Sequence, residues 1–169
     1  MKSAGIATGI AIGLIIVVVI MKFINKDGKF KTSYDERQKV IRGNAYKYGF
    51  YAMMIVLALE LVIGTSITNI HNLGITEYFT PILVGAVIQV SYSIFNDGYE
   101  GLNTNMTKYV VVMVVVAGIN FFSGTVSIMK SGLFINGLLN DSFINIMCGI
   151  LCLIVFVELL VKRAIDNRN

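Results

Sequence analysis

Five apolar runs alternate with polar connections along the chain. Ala4 to Met21 is eighteen residues without a charge, enough to cross a hydrocarbon core of about 30 Å. Further runs extend from Tyr48 to about Thr68, from Pro81 to Phe95, from Tyr109 to Met129 and from Phe143 to Val161. The pattern predicts an all-α polytopic membrane helix bundle, with five transmembrane helices over 4–21, 48–68, 81–95, 109–129 and 143–161. No long soluble insertion interrupts it, so residues 1–169 read as one membrane domain. No internal repeat carries matching motifs in two halves, which argues against an inverted-repeat transporter. The first run is too long for a signal peptide, and no small-x-small cleavage site follows it.

The segment 22–47 has a different pattern. Ser33 and Glu36 fit a capping box, Asp35 and Glu36 suit the positive end of a helix dipole, and Asp35 and Lys39 are spaced for support. Tyr34, Ile41, Ala45 and Tyr48 fall on one helical face, opposite Arg37, Lys39, Arg42 and Lys47. This predicts a cytoplasmic juxtamembrane amphipathic helix starting near Tyr34 and lying along the membrane surface, weakened at Gly43. Tyr34, Arg37, Lys39, Arg42 and Lys47 are its candidate partner- or lipid-binding residues. The plainer reading is that the helix only anchors orientation.

The run DERQ, a short gap, then IRGNAYKYGF leading into an apolar helix resembles a family of small Firmicute membrane proteins of unknown function. The resemblance covers about twenty residues from Tyr34. It implies four or five spans and, for many members, a small helix-turn-helix regulator encoded nearby. It implies no chemistry.

Composition agrees with the pattern: 56% of residues are hydrophobic and the mean hydropathy is +0.74, more apolar surface than a soluble domain of this size hides. With the loops alternating sides, twelve of the fourteen Lys and Arg fall on one side. The positive-inside rule then puts the N-terminus outside and the C-terminus in the cytoplasm of a bacterial cell membrane. The net charge of +4 therefore points to anionic lipid headgroups as partner, with no direct nucleic acid contact.

Candidate chemistry is sparse. No phosphate loop, metalloprotease pair, serine elbow or dinucleotide fingerprint appears, so no catalytic, cofactor or metal residue is assigned and the chain reads as a non-enzyme. Cys148 and Cys152 share a helix face and suit apolar packing; His71, the single histidine, falls in an external loop over 71–78 and makes no zinc site with them. Thr80 and Pro81 suit a helix start. Asp97 and Glu100, in a Gly- and Asn-rich loop over 96–108, read as a solvated turn in preference to a metal site. Asp141 or Ser142 should cap the last helix, and Glu158 should pair with Lys162. Gly5, Gly9 and Gly13 form a candidate helix-packing ridge, used within the chain or in a homo-oligomer. Helical rise puts Glu60, Gln89 and Asn120 at similar depth on three spans, a candidate intramembrane polar cluster with Glu60 protonated, serving as interhelical glue or as a proton- or ligand-sensitive site. Two functions follow: a regulatory or interaction protein docking anionic lipid or a soluble regulatory protein through the basic helix, or a small transporter, channel or immunity-type protein using Glu60.

Overall fold

The computed structural model describes residues 2–66 and 73–168. Five helices account for most of them: α1 (Lys2–Ile24), α2 (Glu36–Ser66), α3 (Ile75–Phe95), α4 (Met106–Ser131) and α5 (Phe143–Asp166). The α2, α3, α4 and α5 helices are long and apolar enough to cross a membrane, and α1 adds a shorter apolar stretch, Gly13–Ile24. The chain is a multi-pass all-α bundle. Its α2 packs on α3, α4 on α5, and α3 joins the two pairs through α5; α1 touches α4.

Lipid-facing helices gain little from hydrophobic exclusion and associate by close packing. That principle operates here at single glycines. A Cβ on Gly49 would stand 2.7 Å from the Gly85 carbonyl oxygen, and one on Gly85 would stand 2.8 Å from that of Gly49. At Gly124 the added atom would meet Ile146 at 2.7 Å. The ridge expected at Gly5, Gly9 and Gly13 behaves differently at Gly13: nothing lies within 4 Å of a Cβ there, so among the described residues no helix packs closely on that position. The surroundings of Gly5 and Gly9 lie outside the described residues.

Two helix starts differ from those the sequence predicts. The juxtamembrane segment is not a separate helix lying flat; α2 runs unbroken from Glu36 through Gly43 into the second span, about 46 Å at helical rise. Its N-terminus is capped two residues later than expected: Asp35 Oδ1 accepts from the Gln38 N–H at 2.6 Å and Gln38 Oε1 accepts from the Asp35 N–H at 3.2 Å. Lys39 accordingly pairs with Glu36, at 2.6 Å, and not with Asp35. The third span starts at Ile75, not Pro81. Pro81 lies inside α3 and is fully buried, and the Thr80 hydroxyl donates to the Thr76 carbonyl beside it, at 2.9 Å.

Between α4 and α5, the segment expected to be plain loop forms a hairpin: β1 (Phe134–Ile135) pairs with β2 (Leu138–Leu139). Asn136 and Gly137 both have positive φ, 53° and 81°, as a tight two-residue hairpin turn requires. Ser142 sits at the α5 N-cap but makes no capping bond; its hydroxyl is 2.6 Å from that of Ser127 across the helix pair. His71 and the adjacent Asn72 lie outside the described residues.

Candidate functional site

The ends of α1, α3 and α5 meet the starts of α2 and α4 at one end of the bundle, which also gathers most of the basic side chains. Asn103 ties this end together. Its carbonyl accepts from the Lys26 N–H at 2.7 Å. Its Oδ1 accepts from the Ser33 N–H at 2.8 Å. Its Nδ2 donates to both oxygens of Asp27, each at 3.1 Å, and to the Lys31 carbonyl. One asparagine thereby joins the 25–33 connection to the 96–105 loop. The α1 terminus is held the same way: the Asn105 N–H donates to the Ile24 carbonyl at 3.0 Å, and Lys108 Nζ to that of Phe23 at 3.2 Å.

Asp97 and Glu100 stay exposed, as a solvated turn requires, but the loop that carries them is tied to its neighbours. Among the described residues no group of side chains could hold a metal ion. Asp97 is the left-handed residue just beyond α3, φ 63°. Its N–H bonds the Ile94 carbonyl, and the Gly98 N–H bonds that of Ser93, the doubly closed helix end that usually carries glycine. Aspartate accepts some backbone strain at that position and reaches two cations: Lys162 at 2.8 Å and Arg37 at 3.4 Å. Lys162 also pairs with Asp166, at 2.7 Å. The expected Glu158–Lys162 pair is therefore absent. Glu158 instead turns into the α3–α5 interface, where Oε1 accepts from Ser91 Oγ at 2.6 Å and Oε2 is buried without a donor.

The predicted cluster of Glu60, Gln89 and Asn120 does not form. Asn120 donates to the Val116 carbonyl of its own helix at 2.9 Å. Gln89 sits against Gly49, eleven residues and about 16 Å along α2 from Glu60. The charged neighbour of Glu60 is Glu77. Counting depth from Pro81 places Gln89 too far toward the other end, because α3 begins six residues earlier.

Gln89 instead joins residues from the juxtamembrane list. A pocket of about 270 Å³ is lined by Asn25, Tyr34, Arg42, Gln89, Tyr99 and Tyr109, with apolar walls including Met21, Val90 and Met106. Arg42 lies over the Tyr34 ring, 4.1 Å from its centroid, and donates to the Tyr46 hydroxyl at 3.2 Å. Tyr99 and Tyr109 hydrogen-bond each other, and burial pushes the Tyr99 phenol far above its ordinary value. Tyr48 packs on Tyr92, centroids 4.9 Å apart, and Ala45 is buried, so part of the predicted stripe faces the bundle, although Tyr48 itself stays 44% exposed. Of the predicted cationic face, Arg37 and Lys39 are engaged within the chain, Arg42 lines the pocket, and Lys47 is exposed. A second pocket, about 390 Å³, is lined by Lys26, Gln38, Asp97, Glu100, Lys162 and Asp166 among others.

Asn103 and the Tyr99–Tyr109 pair carry no periodic signal, since their partners are about ten to seventy-five residues away. Cys148 and Cys152 are free thiols, the first half-buried and the second buried. No protein-family model, curated protein or solved structure matches the chain.

Proposed function

We propose that this is a regulatory or interaction protein of the bacterial cell membrane, which sets its basic end against the anionic cytoplasmic leaflet and engages lipid headgroups there. Its N-terminus lies outside and its C-terminus in the cytoplasm. One observation carries the reading. Lys22, Lys26, Lys29, Lys31, Lys47, Arg163 and Arg168 are exposed and, among the described residues, form no salt bridge. The carboxylates at this end are exposed too, but several already have partners within the chain: Asp97 pairs with Arg37 and Lys162, Asp166 with Lys162, Glu36 with Lys39, and Asp27 accepts from Asn103. What remains is an excess of cations without a salt bridge at this end, each attracted to an anionic leaflet by about 1 kcal/mol. A soluble regulator, as the family resemblance implies, is the second occupant of the same basic end.

The chain has no tryptophan, so Phe23→Trp at the end of α1 supplies a single reporter. In bilayers of equal amounts of anionic and zwitterionic lipid, brominated anionic lipid should quench it more than brominated zwitterionic lipid. The difference should shrink with salt and on replacing Lys22, Lys26, Lys29 and Lys31 by Gln. Equal quenching by both lipids overturns the reading.

The transport reading is favoured by a different residue from the one its sequence argument used. Glu158, bonded to Ser91 with one oxygen buried and unserved, is the carboxylate inside the bundle. Proton or cation flux into proteoliposomes that Glu158→Gln abolishes would support it, and its absence counts against it.

A further inference from the structure

We infer that the pocket formed by Asn25, Arg42 and Gln89 binds one phosphate headgroup bearing a free hydroxyl, the chemistry of phosphatidylglycerol or of soluble glycerol phosphate. The inference rests on the proposed placement of this end at an anionic leaflet, but claims a saturable site where that reading claims diffuse attraction.

Three unspent groups converge on the pocket. Arg42 is its only charged lining residue, and among the described residues no carboxylate pairs with it. A guanidinium held on an aromatic face with free N–H groups suits a phosphate. Asn25 is 2% exposed; its Nδ2 donates to the Lys29 carbonyl at 2.8 Å, while its Oδ1 is buried with no donor. Buried acceptors normally have a partner, and Asn25 borders the pocket, so an O–H or N–H that reached its Oδ1 from there would supply the missing donor. The Gln89 amide, on the same wall, has no hydrogen-bond partner among the described residues.

The lining also discriminates. It contains no carboxylate to receive an ammonium, so a neutral hydroxyl suits Asn25 better than ethanolamine. A choline group offers no donor at all. The volume, about 270 Å³, is at the small end for ligand sites and matches a headgroup. The apolar Met21, Val90 and Met106 walls belong to the parts of α1, α3 and α4 nearest this end of the bundle, the end that the proposed orientation sets at the headgroups.

The test is native mass spectrometry of the full-length protein in detergent, titrated separately with phosphatidylglycerol, phosphatidylethanolamine, phosphatidylcholine and soluble glycerol 3-phosphate. Phosphatidylglycerol should bind saturably, one per chain, and about tenfold or more weaker in Arg42→Gln, with Arg42→Lys between the two. Gln89→Leu should weaken it less. Competition by glycerol 3-phosphate at similar concentration would assign the same chemistry to a soluble source. Replacing Lys22 and Lys31, outside the pocket, should leave the saturable component intact, which separates this claim from the diffuse one. Unsaturable binding, equal binding of phosphatidylcholine, or Arg42→Gln binding like the parent while melting like it would overturn the site and leave Asn25 to a buried water.

Discussion

Asn103 commits its carbonyl, side-chain oxygen and side-chain amide to the 25–33 connection, so its loss is felt on both loops. Each bond contributes about 1 kcal/mol, less where water competes. Asn103→Ala should cost about 1–3 kcal/mol, read as a lower melting temperature in detergent. Asp27 adds a pH dependence. The Lys29 backbone N–H, and after it the Asn103 amide, hold its carboxyl below the ordinary value of 3.8. A group with a depressed folded pKa stabilises fully above its unfolded value, and the benefit fades as pH falls through the folded value. Melting temperature should therefore drop on acidification from pH 4 downward, and Asp27→Asn should flatten that part of the curve; parallel curves would show that the clip contributes nothing. None of this was legible in the sequence. A run such as Asn-Thr-Asn marks a loop, and which distant N–H groups it serves depends on the fold.

At the scale of the helix, existence was legible and contacts were not. The apolar runs located all five helices because 3.6-residue periodicity and length are local properties. Helix ends moved because Asp35, Gly74 and Asn105 mark them, while Ser33 and Thr80 turned their polar groups elsewhere. The glycines that close the bundle are isolated in sequence, whereas the visible ridge, at the one position described, closes nothing. Gly49→Ala should thus destabilise the α2–α3 pair by about 1–3 kcal/mol, since the methyl meets backbone. Gly43→Ala, with open space around it, should stabilise by up to about 1 kcal/mol; equal effects in a denaturant series would contradict the crossing. The α3 end makes a finer case. Asp97 accepts a left-handed backbone costing about 1 kcal/mol and gains exposed ion pairs of about 0–1 kcal/mol each. Asp97→Gly should lie near neutral at low salt and become stabilising at high salt, as screening removes the pairs. A salt-independent difference in melting temperature would refute this balance.

For the whole molecule, the spacing of charges and the order of helices agree. Reporter fusions in the Asn136–Gly137 turn and after Arg168 should report opposite sides of the membrane, with the second cytoplasmic; the same side for both would break the topology. The three-residue polar cluster failed for a reason of dimension. Sequence gives height along a helix axis, but contact also needs facing direction and neighbours, and α2 and α4 share no packed interface among the described residues. Arg42 and Gln89 were each visible as polar residues in apolar surroundings, yet their meeting depends on the Gly49–Gly85 crossing, which brings that part of α3 against α2.

The latch on α1 also has a history in time. The carbonyls of Phe23 and Ile24 receive their donors from Lys108 and Asn105, about eighty residues later in synthesis. At about 5–20 residues per second, those donors are synthesised roughly 4–16 s after the helix end they hold. A chain cut short before Asn105 lacks both donors, so its first helix has the length and hydropathy of the finished one but not its fastening.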